Sequence, residues 1–349
     1  MQVRRAFAFE DHISDDLRAS LIEARERGAI PDLMLPDEVL GDGPAESLDT
    51  VEVTRDELDQ LLGTRLPRWV IAKNPLDSGF VRTKALMRNE GLNTVCEEAA
   101  CPNIGQCWSR GTATFMIAGS TCTRGCRFCN VATAKPNGPP DPEEPERVAD
   151  AAAQMGLTFV VVTAVARDDL PDGGAAHFAR TIAALRERLP ETRIEVLIPD
   201  LAGAWDALDI VIDAQPDVLN HNTETVPRLY SAVRQGARYE RTLELLARAR
   251  GAGMRTKSGI MVGLGEELHE IDQVFTDLAG VGCELVTVGQ YLRPTLMHAP
   301  VARYYIPAEY PALAERGQGL GLAHVEAGPL VRSSFEADRV ADALHTAVV

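Results

Sequence analysis

The sequence predicts an α/β fold: a partial barrel of six parallel strands with extensions at both ends. Beyond residue 111, short β-branched runs at 112–117, 158–163, 193–198, 217–221, 256–262 and 284–288 alternate with helical stretches such as 175–188, 224–233, 239–252 and 268–281. Crossovers of that length pass over the sheet face and set successive strands parallel. The chain has 349 residues, enough for one such domain plus appendages. No internal repeat of fixed period is present, which excludes a solenoid. A doubly wound open sheet produces the same alternation, and periodicity does not separate the two.

Four segments follow along the chain. Residues 1–65 read as an acidic N-terminal extension. Within it, 15–27 has helical composition with Leu17, Leu21 and Ile22 on one face. From Pro36 to Gln60 the acids Asp37, Glu38, Asp42, Glu46, Asp49, Glu52, Asp56, Glu57 and Asp59 are opposed only by Arg55, the balance of a solvated surface segment. Residues 66–111 carry half of the clustered cysteines and read as turn-rich, with Pro102 and Gly105 breaking any helix. Residues 112–306 form the barrel, and 307–349 a C-terminal extension with helices around "GPLVRSSFEAD".

Charge and cysteine usage narrow the function. A formal net charge of -16 argues against gripping nucleic acid, because phosphate contacts need clustered Lys and Arg. No apolar run is long enough to span a membrane. The opening Met1-Gln2-Val3-Arg4-Arg5-Ala6-Phe7 lacks an apolar secretory stretch, since Glu10, Asp11, Asp15 and Asp16 follow at once. The expected location is cytoplasmic. Six of the 7 cysteines, Cys96, Cys101, Cys107, Cys122, Cys126 and Cys129, fall close together, with Cys283 apart. In a reducing compartment such clustering points to metal or redox chemistry rather than to disulfides.

"CTRGCRFC", residues 122–129, spaces its cysteines as Cys-x3-Cys-x2-Cys. On a regular helix these thiols would form a buried stripe, but Thr121, Thr123 and Gly125 oppose a helix, and Arg124 and Arg127 bring charge that inert thiols would not want. Those arginines favour thiolates and balance an anionic cluster. Zinc asks for four ligands, whereas a [4Fe-4S] cluster held by three thiolates leaves one iron open. No fourth cysteine follows at ferredoxin spacing, so a plain electron carrier fits less well.

This spacing, with Phe128 before the last cysteine, resembles the signature of the radical S-adenosylmethionine (SAM) enzymes. The resemblance implies a partial (β/α)6 TIM-like barrel of the radical SAM type, with its site at the C-terminal ends of the strands. It also implies that Cys122, Cys126 and Cys129 hold a cluster whose open iron is chelated by SAM, with Phe128 beside the cofactor. An electron then breaks the sulfonium C–S bond, giving a 5′-deoxyadenosyl radical that takes hydrogen from an unactivated carbon.

A second run, "CEEAACPNIGQC", spaces Cys96, Cys101 and Cys107 as Cys-x4-Cys-x5-Cys, and a structural zinc knot completed by a distant residue is the alternative to a second cluster. From Trp69 to Ala337 the stretches "TVCEEAACPNIGQCW", "GTATFMIAGSTCTRGCRFCNVA", "RDDLPDGGA", "VLNHNTETVPRLY", "TKSGIMVGLGE", "VTVGQYLRPTLMHAPV" and "VRSSF" closely resemble the lipoyl synthase family. That resemblance implies a second, auxiliary [4Fe-4S] cluster on Cys96, Cys101 and Cys107 as the sulfur donor, with a serine of Arg332-Ser333-Ser334 as its fourth ligand. It also implies sulfur insertion at C6 and C8 of a protein-bound octanoyl-lysine, with two SAM molecules per product. The implied partners are an octanoylated lipoyl carrier protein or domain and a flavodoxin- or ferredoxin-type reductant.

A hard alkoxide ligand matches an iron–sulfur site poorly, so a serine-bound iron is easily released. Ser333-Ser334-Phe335-Glu336 is also a capping box, which places Ser333 as the cap and favours Ser334 as the ligand, with Arg332 beside it. Gly173 and Gly174 let backbone approach the methionine end of SAM, or simply turn the chain into the next helix. Glu195 and Asn220, near strand ends, are candidate partners for SAM. Lys257 and Arg293 either hold a carboxylate or make structural ion pairs. His221 and His298 read as supporting polar residues and Cys283 as a buried one. Ala100, Ala164, Ala166 and Phe335 depart from the family's usual residues. A divergent radical SAM sulfur-insertion paralogue with another substrate therefore stays open, as does a metal-stabilised binding or electron-transfer protein.

Overall fold

The computed structural model describes residues 66–72 and 77–339. The helix expected at 15–27 and the acidic run at 36–60 lie outside the described residues. The chain divides into two units, residues 1–71 with 302–304 and residues 72–301 with 305–349. The described part of the first unit includes the 3-10 turn Arg68–Val70. All that follows concerns the second unit.

The six expected strands are present as β2 (Thr114–Ile117), β5 (Phe159–Ala164), β6 (Arg193–Leu197), β7 (Val218–Asn220), β8 (Thr256–Val262) and β9 (Leu285–Gln290). Two edge strands join them, β1 (Asn93–Thr94), antiparallel to β2, and β10 (His324–Gly328), parallel to β9. A separate two-stranded sheet pairs β3 (Thr121–Cys122) with β4 (Ala132–Thr133). The large sheet runs β1-β2-β5-β6-β7-β8-β9-β10. From β2 onward every neighbour is parallel and in chain order, so the winding never reverses. A doubly wound sheet must reverse once, and this rules it out. The two edges do not pair with each other, so the barrel is partial.

Each strand divides its side chains between two faces. Phe115, Ile117, Val160, Val162, Ile194, Val196, Leu219, Ile260, Val262, Val286 and Val288 join the helices in one core, which makes this the outer face. The alternate residues therefore face the lumen: Thr163, Glu195, Asn220, Lys257, Gly259, Thr287 and Gly289 among them. A lumen this polar needs a ligand or internal pairing to offset desolvation.

The helices are α1 (Ser78–Asn89), α2 (Val95–Glu98), α3 (Ile104–Ser109), α4 (Glu144–Gln154), α5 (Ala175–Arg188), α6 (Trp205–Asp213), α7 (Tyr230–Val233), α8 (Tyr239–Gly251), α9 (Leu268–Gly280) and α10 (Glu309–Gly319). Two expectations need correction and a third needs an addition. Pro102 and Gly105 do not keep 96–107 free of helix. Pro102 precedes α3, where its missing N–H costs nothing, and Gly105 is buried inside it, so packing overrides a weak propensity. The helix expected over 224–233 shrinks to the 3-10 turn Pro227–Leu229 and α7, because Glu224 bridges to β8 and Pro227 disfavours helical backbone at Val226. Around "GPLVRSSFEAD", itself mostly turn, α10 precedes and helical residues begin at Ala337, but the unexpected strand β10 intervenes between α10 and the segment.

Candidate metal centres

The radical-type cysteines sit on a loop that leaves the C-terminal end of β2. Backbone bonds from Thr123 N to Ala166 O (3.0 Å), Arg127 N to Val233 O (2.8 Å) and Ala299 N to Arg127 O (2.8 Å) hold the loop over the strand ends. His298 Nε2 lies 3.0 Å from the Cys129 carbonyl, and Arg293 Nε donates to His298 O at 3.0 Å, so both residues brace the loop. Phe128 is half-buried against Val233, Leu264, Tyr291 and Ala299.

Burial pushes the Cys126 thiol up to about 11 and Cys129 up to about 12, and each feels the charge of Cys122 as well. Three thiols this close repel one another once ionised, a penalty that a cationic metal centre would remove. The arginines behave differently from expectation. Arg124 is held by Asp168 through Nε and Nη2 (2.7 Å each) and by Asp200 (2.6 Å), while Arg127 is exposed. The first cation acting on Cys126 is instead Arg234, a buried residue that nothing in the local pattern marked. Glu224, in a left-handed conformation (φ +68°), stands near both Cys126 and Cys129.

The other three cysteines come from α2, the turn after it and α3. Thr94 caps α2 by accepting from Glu97 N at 3.3 Å, and Cys101 N donates to Cys96 O at 3.0 Å, folding the run back on itself. Burial pushes Cys96 up to about 11 and Cys107 up to about 12, with mutual repulsion among Cys96, Cys101 and Cys107 adding to it. The Trp108 indole N–H is buried with no oxygen or nitrogen partner among the described residues, and it lowers Cys96 as a donor to a thiolate does. A buried donor directed at a cysteine sulfur fits a site built for an anionic, sulfur-rich group. All 7 cysteines are free thiols. Among the described residues no group of three His, Cys, Asp or Glu is placed to hold a single metal ion. A polynuclear cluster binds each thiolate to a different iron and does not need that convergence.

The C-terminal extension meets this second triad across the open edge of the barrel. Asn103 Nδ2 donates to Leu330 O (2.7 Å), Arg110 pairs with Glu336 (2.8 Å), and the half-buried Arg332 lies beside Cys101. Elements following β1 and β10, the two unpaired edges, are thereby joined. The turn then enters the lumen, and two glycines make room for it. A Cβ on Gly289 would lie 2.1 Å from Val331 O, and one on Gly259 would lie 2.8 Å from Asn222 Oδ1 and 3.0 Å from Ser333 Oγ. Ser333 Oγ donates to Asn222 Oδ1 at 2.7 Å rather than capping a helix, so the expected capping box does not form. The half-buried Ser334 hydroxyl is engaged by no hydrogen bond among the described residues.

Inside the lumen Lys257 Nζ donates to both Glu195 oxygens at 3.0 Å, and Asn220 Nδ2 donates to Glu195 Oε1 at 2.8 Å. Lys257 thus makes the structural ion pair, and Glu195 is committed to it. Asn220 Oδ1 is left buried and unpartnered among the described residues, an acceptor available to a bound molecule. Gly173 and Gly174 (φ +59° and +93°) follow β5 and open α5. Asp172 accepts from Gly174 N (3.0 Å) and Ala176 N (2.8 Å), and a Cβ on Gly174 would meet open space. Cys283 is buried in the core.

His221 is a structural base. Burial first, then Arg234, depress it to about 3, and its ring bonds the Ile198 carbonyl at 2.8 Å. Unfolding exposes a histidine that titrates near 6.5, so the unfolded chain binds the extra proton and stability falls as pH drops from about 6.5 toward 3. Its share of the slope is at most about 1.4 kcal/mol per pH unit. Denaturant melts of the parent and of His221→Gln across that window should differ by this slope; parallel curves would contradict it.

Among the described residues no helix is long and apolar enough to cross a membrane. Residues 116–278 match the radical SAM superfamily, and residues 31–101 match the N-terminal domain of lipoyl synthase of that family. The chain is 56% identical over 277 residues to the lipoyl synthase of Symbiobacterium thermophilum, covering 79% of this chain and 86% of that one. It is 53% identical over 280 residues to the lipoyl synthase of Nitrosococcus oceani, again covering 79% and 86%. The crystal structure of Streptococcus suis SuiB bound to S-adenosylmethionine aligns with 65% of this chain and 53% of its own at 13% identity and a TM-score of 0.49, too distant to bear on the site.

Proposed function

The chain belongs to the lipoyl synthase family of radical SAM enzymes, and from that premise we propose how its residues carry out insertion of two sulfur atoms at C6 and C8 of an octanoyl chain on a carrier-protein lysine. The observation that carries the proposal is the pair of cysteine triads with different surroundings. One lies on the loop over the strand ends beside Arg234 and Glu224; the other lies beside Arg332 and the serine turn. When bound, SAM and its [4Fe-4S] cluster supply the radical that removes hydrogen from an unactivated carbon.

Cys122, Cys126 and Cys129 would hold that cluster and leave SAM its place on it. Phe128 packs the loop, Gly173 and Gly174 offer backbone to the methionine end, and Asn220 offers its free carbonyl oxygen. Glu195 acts through Asn220, orienting it, while Lys257 neutralises Glu195. Cys96, Cys101 and Cys107 would hold an auxiliary cluster that would supply the sulfur, with Ser334 as its oxygen ligand and Arg332 balancing its charge. An oxygen ligand would be the weakest match in such a set, so Ser334 would hold its iron least firmly. The tethered octanoyl-lysine reaches the lumen from a transiently bound carrier protein, and a flavodoxin- or ferredoxin-type protein supplies electrons.

The test is to incubate reconstituted protein anaerobically with SAM, dithionite and octanoylated carrier protein and to weigh the carrier. A gain of two sulfur atoms is expected. Deoxyadenosine release without that gain would move the reading to another acceptor, and zinc in place of iron and sulfide would end it.

A further inference from the structure

Two adjacent serines stand at the tip of the C-terminal turn, and the same turn can offer either hydroxyl to the auxiliary site. We propose that Asn222 is a positioning residue that decides between them. Its amide clasps Ser333 and so presents Ser334 to the cluster. The inference rests on the auxiliary-cluster reading above.

The geometry comes from residues far apart in the chain. Asn222 follows β7 at the lumen rim and is buried. Its Oδ1 accepts from Ser333 Oγ at 2.7 Å, and its Nδ2 donates to Glu224 Oε1 at 3.0 Å. Both ends of the amide are therefore used, which fixes its orientation: the carbonyl must face Ser333. Gly259 lies beneath the bond, and any Cβ there would press on Asn222 Oδ1 and Ser333 Oγ together. A hydroxyl that donates in a buried pocket is held at one rotamer and does not leave without stranding its acceptor. Ser334, one residue on and bonded to nothing among the described residues, is the hydroxyl left for iron. The Ser333–Asn222–Glu224 chain also links the turn beside Cys101 to the surroundings of Cys126 and Cys129.

Two measurements test this, one of them without any cluster. In cluster-free full-length protein, trypsin cleavage of the Arg332–Ser333 bond is followed by mass spectrometry. Losing one buried hydrogen bond should quicken it about fivefold in Asn222→Leu and equally in Ser333→Ala. The double variant should be no faster, because the two residues share one interaction. In the second, full-length protein with Cys122, Cys126 and Cys129 all replaced by alanine carries only the auxiliary cluster, and a chelator reports how fast its first iron leaves. Ser334→Ala should lose iron faster than its parent, and adding Asn222→Leu should slow that loss again, because the freed Ser333 takes the vacant position. A generally loosened fold would speed the loss instead. Parental protection at Arg332 in both single variants, or iron lost no more slowly from the pair than from Ser334→Ala, overturns the inference. If the cysteine-depleted parent assembles no iron–sulfur cluster, it is the auxiliary-cluster reading that fails, and the trypsin result still judges the clasp.

Discussion

Alanine at any one of Cys122, Cys126 or Cys129 is expected to reduce reductive cleavage of SAM to the background rate, whereas alanine at Cys96, Cys101 or Cys107 is expected to leave cleavage in place and abolish sulfur insertion. In the proposed reading the first triad is the whole protein hold on its cluster, so losing one thiolate would leave two sulfur ligands where three are needed, and His298 would not replace it because its Nε2 already faces the Cys129 carbonyl. Such a variant either loses the cluster or exposes a second iron, and both outcomes destroy the chelation geometry. The second triad touches a different part of the fold. One link between the two is Asn130 Nδ2 donating to Glu98 O at 2.9 Å, a side-chain-to-backbone bond that a Cys→Ala change on α2 or α3 leaves intact. Deoxyadenosine by chromatography and sulfur in the carrier by mass report the two halves separately. Loss of cleavage in both sets would mean the triads serve one centre.

Gly289→Ala separates the same two halves from the other side of the barrel. The added methyl would lie 2.1 Å from Val331 O, a backbone atom that can only yield if the whole turn withdraws from the lumen. Arg332, Ser333 and Ser334 would move with it, since Val331 precedes them directly. Misplacing a reacting group by about 1 Å costs roughly a hundredfold in rate, so sulfur insertion should fall about that far while SAM cleavage persists. The overpacking itself should cost only about 1–3 kcal/mol of stability, because the turn can shift outward. Thermal melting and the deoxyadenosine-to-product ratio check the two statements. An unchanged ratio would show that the turn does not need its place against β9.

Strand periodicity survives folding where burial is two-sided. β8 is buried at six of its seven positions and β9 at all six, although Thr256, Lys257, Ser258, Thr287 and Gln290 are polar, so burial on both faces rather than strict alternation marks them. Helix α5 begins and ends where its composition indicates, Ala175–Arg188, because Gly174 starts it and Asp172 satisfies its first amides. The residues around Glu224 misled for an equally physical reason. Their helical composition is genuine, but Glu224 exchanges backbone bonds with Gly259 and Met261 of β8 (2.8 and 2.9 Å), and a strand-edge pairing outweighs local propensity. Arg234 lies outside every motif stretch, and Trp108 and Asn103 lie inside one that assigned them no role. Each acquires its role from a neighbour brought close only by packing, so no local pattern could single them out.

What the sequence determined by itself is the chemistry within short reach of the chain: three thiols in eight residues, three more in twelve, a serine pair in the tail, and an alternation that commits the chain to parallel strands. Their spacing is covalent, and it constrains which groups can converge before any tertiary contact forms. Only the tertiary structure decided that the sheet winds in one direction and stays open, that Arg124 is already neutralised by Asp168 and Asp200, and that Asn222 meets Ser333 across 111 residues of chain. Those outcomes depend on which surfaces bury together and which charges pair once water is excluded, and these are energies of juxtaposition between residues the chain holds far apart.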